Sequence, residues 1–444
     1  MTIDGAGRLG RPVPVTWWAL AFTQLLVIVA GGISLPGLVH AAHPAAPPPV
    51  TAPPSQVATS APADTAAVLV GVATTLRARD KALLAHNRAG YLAAARPRSA
   101  AAKVAASLIT NIALVPLAQW DETVDETTLT AVAKAANTYT VEVIRRYRIN
   151  GYDPGGVAQR RRLTVARTGS RWLVTADAPA PGARSELWDA GPVVIRRGKT
   201  SLVLAHKADA AHLASYAQIA DTAARNVTAV WGTSWSRRVV VIVPSTAAEL
   251  GRVLNSDADY SQIAALATAD IVDTAGRRTA LADRVVINPA TFGRLTLLGQ
   301  GIVMTHEVTH VASRRATGKA SPLWLVEGLA DYVAYRHSGV PTRIAARDLV
   351  SAARRGPLPA TLPADNDFEP AATHLGASYE LSWLACRFIA ERAGEAKLLA
   401  FYKAVGADSG PQDQVVRRQF KVVLASSPET FTASWRTYVA AAIS

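Results

Sequence analysis

The chain has a single cysteine, Cys386, among 444 residues. One thiol can form neither an intrachain disulfide nor a cysteine zinc site. Cys386 lies in Tyr379-Glu-Leu-Ser-Trp-Leu-Ala-Cys-Arg-Phe-Ile-Ala, which is apolar at helical spacing. It therefore reads as a small core residue rather than a catalytic thiol. Charged residues are scarce, at 18% against 50% hydrophobic, so the chain can bury sizeable cores and is not disordered as a whole. Acidic residues are the scarcer sign, 33 against 47 basic, for a net charge of +14. Such a balance suits nucleic acid, anionic lipid or an anionic cell-envelope polymer. Nucleic acid is set aside: the basic residues are scattered, no Lys/Arg-rich block occurs, and no base-stacking motif is present. No internal repeat is visible. The length fits two domains with additional segments.

The first segment carries an address. Arg8 and Arg11 precede an uncharged apolar stretch from about Thr16 to Val39. That is the layout of a signal peptide, with Val39-His40-Ala41 as a cleavage site. The stretch is also long enough to span a bilayer, at about 20 residues. Residues 1–42 thus fit a signal peptide or an uncleaved membrane anchor. No cysteine stands near the cut, which excludes a bacterial lipoprotein anchor. In both cases the rest of the chain is expected outside the cytoplasm, secreted or membrane-anchored, because positive charge stays inside. Residues 43–63 are rich in proline and alanine and read as an extended linker.

Residues 64–180 open with helical patterns and then alternate. Ala67 to Leu84, Gly90 to Ala95 and Ala100 to Ile109 read as helices. Thr138 to Tyr147, Gln159 to Arg167 and Arg171 to Val174 read as strands, separated by turns at Asn150–Gly156 and Thr168–Ser170. Helices followed by a meander give a small α+β module, similar in order to the cone-shaped NTF2-like fold. No cluster of Asp, His or Glu that chemistry would need stands out in it. It reads as a binding or spacer module.

Residues 185–444 form the second expected domain. Val193–Arg196 and Ser201–Ala205 predict a hairpin, and Ala208 to Val230 a long helix. Val239–Val243 predicts a buried strand, and Ser245 is the expected cap of a short helix through Leu254. Ile263–Thr268 and Arg284–Asn288 predict two further strands. From about Thr291 the chain reads as helical. Sheet comes first and helices after, again α+β.

At that transition stands Gly301-Ile-Val-Met-Thr-His306-Glu307-Val-Thr-His310-Val-Ala. Residues four apart share a helix face, so His306 and His310 project together and can each give a nitrogen to one Zn²⁺. Glu307 lies beside that ion, where it can take a proton from water and hand it to a leaving amine. Two histidines hold catalytic zinc poorly, so a third ligand is required. Downstream, Glu327 sits in the apolar helical segment Pro322-Leu-Trp-Leu-Val-Glu-Gly-Leu-Ala-Asp331-Tyr. A buried carboxylate needs a partner, and a metal provides one. Asp331, one turn on, is placed to accept the free N–H of a ligand histidine.

His-Glu-x-x-His followed by Trp-Leu-x-Glu-Gly-x-Ala-Asp-Tyr resembles the gluzincins, the peptidase MA-like group in particular. The resemblance covers roughly residues 239–403. Together with the first module, it also looks like a set of uncharacterised actinobacterial exported proteins. It implies a fold of the thermolysin and aminopeptidase type and one zinc ion per chain. His306, His310 and Glu327 would be its ligands and Glu307 the general base. It also implies that the strand Arg284–Asn288 is a sheet edge pairing with the substrate backbone. A tyrosine from a later helix would stabilise the oxyanion, which points to Tyr379, with His374 as the rival donor. Sixteen residues separate His310 from Glu327, slightly fewer than in the aminopeptidase branch, so the resemblance does not fix the connecting loop. No Gly-x-Met-x-Asn-type segment precedes the metal helix, which leans towards an endopeptidase.

The function expected from these readings is hydrolysis of a peptide or protein substrate by a metal-activated water outside the cytoplasm. An amidase acting on cell-wall peptides would use the same chemistry. The rival from another class is an envelope-anchored binding protein whose metal site is structural or inactive. A structural zinc site is normally closed by four protein ligands, and only three are named here.

Overall fold

Val239-Val-Val-Ile-Val is apolar at every position, a pattern that suits a strand buried on both faces. The computed structural model shows why. It describes residues 65–444 except 262, 275–276 and 370–371. The expected signal or anchor at 1–42 and the linker at 43–63 lie outside the described residues. No helix among the described residues is long and apolar enough to cross a membrane.

The protein is mixed α+β, with two sheets and a helical C-terminal half. Helices α1 (Thr65–Leu84), α2 (Arg88–Leu92) and α3 (Ala100–Asn111) precede an antiparallel meander of β1 (Leu117–Ala131), β2 (Thr138–Ile149), β3 (Val157–Thr168) and β4 (Arg171–Pro179). The short α4 (Leu187–Ala190) leads into β5 (Val193–Arg197) and β6 (Ser201–His206). Then come α5 (Leu213–Trp231), β7 (Val239–Val243), α6 (Ala247–Leu254), β8 (Ala265–Thr274) and β9 (Arg277–Ile287). The second sheet has the order β5-β6-β7-β9-β8, with β6, β7 and β9 parallel and the outer pairs antiparallel. After α7 (Pro289–Phe292) the chain is helical: α8 (Leu297–Ser313), α9 (Leu323–Tyr335), α10 (Thr342–Ala345), α11 (Arg347–Ala353), α12 (Leu375–Ala393), α13 (Glu395–Ala407), α14 (Gln412–Leu424) and α15 (Pro428–Ile443).

Both faces of the second sheet are covered, by different parts of the chain. Val203, Ala205, Val239, Val241 and Val243 share a core with α5, α8, α9 and α12. Their neighbours Leu202, Leu204, Val240 and Ile242 share a second core with Tyr147, Ile149 and Val157 of the first module. Period-two alternation thus becomes an unbroken apolar run, because each face has its own partner. The turn after β2 fastens this junction. Asp153 takes Arg284 of β9 in a two-pronged pair at 2.6 and 2.8 Å. Gly155 donates to the Leu281 carbonyl at 2.8 Å, and a Cβ there would sit 2.6 Å from Leu281 Cδ2.

Three local expectations are corrected. The long helix starts at Leu213, not Ala208, because Lys207–His212 forms tighter 3₁₀ turns. Thr246 rather than Ser245 caps α6: its hydroxyl accepts from Glu249 N at 3.1 Å, while Ser245 Oγ donates to Asp209. Arg284–Asn288 does not supply a sheet edge, since β9 lies between β7 and β8. The edge next to the metal motif is β8. Asn288 N donates to Ala264 O, so Ala265, Ala267 and Ala269 turn their backbone groups away from β9.

Candidate metal centre

Helix α8 begins at Thr296, whose hydroxyl accepts from Gly299 N at 3.2 Å. From Ile302 to Ser313 every residue is buried, because α5, α9 and the sheet surround it. Two histidines and a glutamate are therefore carried into the interior by a helix with no solvent face at this level. Helix α9 delivers Glu327, 2% exposed. Its neighbour Gly328 lets α12 come close: a Cβ there would lie 2.3 Å from the Ser382 carbonyl oxygen.

Three ligand atoms meet. His306 Nε2 and His310 Nε2 are 2.9 Å apart, and each is 3.3 Å from Glu327 Oε2. A tetrahedral zinc ion with bonds of about 2.0–2.1 Å spaces its ligand atoms about 3.3 Å apart. Glu327 Oε2 is buried and has no hydrogen-bond partner. An orphaned carboxylate oxygen facing two imidazole nitrogens is expensive unless a cation joins them. The donor set, its spacing and this unmet oxygen all fit one zinc ion. Among the described residues these three form the one His/Cys/Asp/Glu group with such spacing.

The surroundings tune each group. Asp331 Oδ1 is 2.7 Å from His306 Nδ1, so a proton on Nδ1 leaves Nε2 to face the centre. Burial alone would lower His306, but Asp331 outweighs it and the ring is held well above its usual value. His310 is pushed down, chiefly by burial. Burial would raise Glu327, but the two imidazoles overcome it and hold the carboxylate at about 2. Glu307 is fully buried, and neither carboxylate oxygen has a hydrogen-bond partner. Burial pushes it up to about 8, against the pull of the His306 ring and of the Ala267 N–H on β8, which lies near the carboxylate but outside hydrogen-bond geometry.

Tyr379 on α12 is also brought close, its ring centroid 6.5 Å from that of His306 and 5.3 Å from that of Phe368. His374 stands exposed at the start of α12. Two participants escape motif reading. Phe368 backs Tyr379 from the end of the 3₁₀ turn Asp365–Phe368, an acidic stretch in which a lone aromatic gives no sign of the site. Arg314, one turn past His310, donates to Asp283 Oδ1 at 2.6 Å and to the Ala267 carbonyl at 3.3 Å. It ties the end of α8 to β9 and to the free edge of β8. A lone arginine after a helix gives no signal of this in sequence.

Asp331→Asn tests the hydrogen bond to His306. The amide can still touch Nδ1, but it brings no charge to hold the ring's proton there. Zinc affinity is expected to fall about 10–100-fold, measured by competition with a chromophoric chelator, with the circular dichroism spectrum unchanged. Unaltered affinity would remove Asp331 from the centre.

No protein-family model matches the chain, and the search of curated proteins finds no significant match.

Proposed function

We propose that the chain is an exported zinc metallopeptidase of gluzincin type, which hydrolyses peptide bonds outside the cytoplasm. The observation that carries this reading is the convergence of His306 Nε2, His310 Nε2 and Glu327 Oε2 at mutual distances of 2.9–3.3 Å, with Glu307 buried and unpartnered beside them. Bound zinc would supply Lewis acidity, acidifying water and polarising a carbonyl. Glu307 Oε takes the proton released when water attacks and returns it to the leaving amine. Asp331 orients His306, and Tyr379 is the donor for the developing oxyanion. A peptide would lie along the outer edge of β8 past Ala267, whose carbonyl Arg314 holds, where Ala269 turns its backbone groups away from β9. Small side chains there favour backbone recognition over sequence choice, as in an endopeptidase. The second domain is read as gluzincin-like and the first module as NTF2-like. The apolar stretch at 16–39 is the basis for the extracytoplasmic placement.

The test is metal removal. Casein hydrolysis by the purified chain is expected to vanish with 1,10-phenanthroline and to return with one equivalent of zinc. Hydrolysis that survives a verified loss of metal would refute the reading. Zinc bound at one per chain without hydrolysis of casein or cell-wall peptides would favour an envelope-anchored binding protein.

A further inference from the structure

The first module has one end turned away from the second sheet. Helices α1 and α3 both start there: Val68, Val72 and Ala101 belong to the small core around Val165 and Trp172. Their later residues Ala82, Leu83, Leu108 and Ile112 reach the core shared with the second sheet. The β3–β4 turn closes the same end. Arg96 Nη2 donates to the Arg167 carbonyl at 3.3 Å and to Thr168 Oγ1 at 3.1 Å. Arg167 Nε donates to the Gly169 carbonyl at 3.3 Å, and Arg171 Nη2 to the Ala93 carbonyl at 3.2 Å. Three guanidiniums thus gather around one turn, and Arg98 stands two residues from Arg96.

All four arginines are exposed, and none enters an ion pair among the described residues. The acids of the sheet stay back. Glu142 is level with Arg162, five residues or roughly 17 Å short of Arg167, and Asp125 stands opposite Glu142. Asp64, outside the described residues, is the one acid that adjoins this end in sequence. The N-termini of α1 and α3 add to the positive field. Beside the cations α1 is apolar: Thr65-Ala-Ala-Val-Leu-Val-Gly carries no charge, and the first is Arg77. Val70 is 65% exposed. It precedes Gly71, where a Cβ would strike the Trp172 ring beside the same turn. Residues 1–64, with the apolar stretch 16–39, join the fold at this end.

We propose that this end of the module docks on an anionic lipid bilayer, with Arg96, Arg98, Arg167 and Arg171 against the headgroup phosphates and Val70 in the interface. Each guanidinium keeps N–H groups beyond those it gives to the backbone, and phosphate oxygens accept them. Cations beside an exposed apolar helix start are the pattern of an interfacial contact. A dissolved polyanion would meet the arginines and leave Val70 in water. A bilayer meets both, and a tether through residues 1–64 would draw this end towards it. The reading of 16–39 as an export segment or anchor enters only through that last point. The metal centre plays no part, so the docking stands or falls apart from the peptidase reading.

The test uses the full chain with Val70→Cys carrying an environment-sensitive fluorophore. Cys386 is buried and stays unlabelled. The label reports on this end whether or not residues 16–39 enter the bilayer. With vesicles of phosphatidylcholine and phosphatidylglycerol its emission is expected to shift to the blue and to be quenched by brominated lipid. With phosphatidylcholine alone it is expected to stay as in buffer, and added salt should reverse the shift. Replacing all four arginines by glutamine should raise the lipid concentration needed by about 10²–10³-fold, at about fivefold per arginine. Arg98→Gln alone breaks no hydrogen bond of the described fold and should cost about fivefold. It serves if the fourfold variant fails to fold. No response, an equal response to both vesicles, or a response unchanged in both variants would overturn the proposal. A response to soluble polyglycerol phosphate but not to vesicles would overturn it too, and assign the arginines to a dissolved polymer.

Discussion

Glu327→Ala is expected to leave the chain folded and unable to hold zinc. Glu327 is the one ligand that does not come from α8, so it closes the site between two helices. Two imidazoles remain after the substitution, and two-histidine sites hold catalytic zinc poorly. The affinity loss is expected to exceed about 100-fold, beyond what removal of a supporting hydrogen bond costs. Metal analysis after dialysis should fall from one zinc per chain to near none. A thermal readout follows from linkage. Zinc at a hundred times its dissociation constant stabilises the native chain by about 2.7 kcal/mol, so added zinc should raise the wild-type melting temperature and leave the variant where it was. Glu327→Gln separates charge from shape. It fills the same space, yet lacks the carboxylate that the two imidazoles hold at about 2, and it should lose zinc as well. Retention of zinc by both variants would mean that another group is the third ligand.

Sequence made this site legible because its chemistry is written in short-range spacing. His306 and His310 are four apart, and a helix is enough to bring them together. Glu327 and Asp331 repeat that spacing on α9, and the apolar residues around Glu327 already signal that its charge must be met inside. What lies beyond one helix turn was less visible. Strand β1 escapes alternation because Trp120-Asp-Glu-Thr-Val-Asp-Glu-Thr-Thr reads as polar and its register breaks between Asp125 and Thr130. The polar content has a reason. Glu122 is buried and takes Arg79 and Arg145, while Asp177 takes Arg161. Three arginines and two acids from one helix and four strands form this network, and no local pattern joins them. Arg160-Arg161-Arg162 shows the difficulty in miniature: the middle guanidinium is buried and its neighbours are exposed. The edge strand was misplaced for a related reason. Which of two adjacent strands lies outside is a property of sheet order, and β9 gains β7 as a second neighbour only in the folded chain.

Glu307→Gln should separate binding of the metal from chemistry, since zinc is expected to remain at one per chain while casein hydrolysis falls by about 10²–10⁴-fold. The two outcomes follow from where Glu307 stands. It neighbours His306 in sequence, yet it is not one of the three groups whose ligand atoms converge. Its two oxygens make no hydrogen bond, although the residue is fully buried. Nothing in the fold depends on that carboxylate, so the amide, nearly identical in shape, should cost little stability. Its burial instead sets its proton affinity. Burial pushes the carboxyl up to about 8, and a bound dication would draw it down towards neutral pH, the range in which a group can both accept and return a proton. Glutamine can do neither. Glu307→Asp keeps the acid but withdraws it by one methylene, and should fall between the two, since proton transfer requires hydrogen-bond reach. The decisive comparison pairs Glu307→Gln with Glu327→Ala: loss of hydrolysis with zinc kept in the first, and loss of both in the second. Hydrolysis surviving in Glu307→Gln would assign the proton transfer elsewhere, with Tyr379, whose ring centroid lies 6.5 Å from that of His306, as the next group to replace.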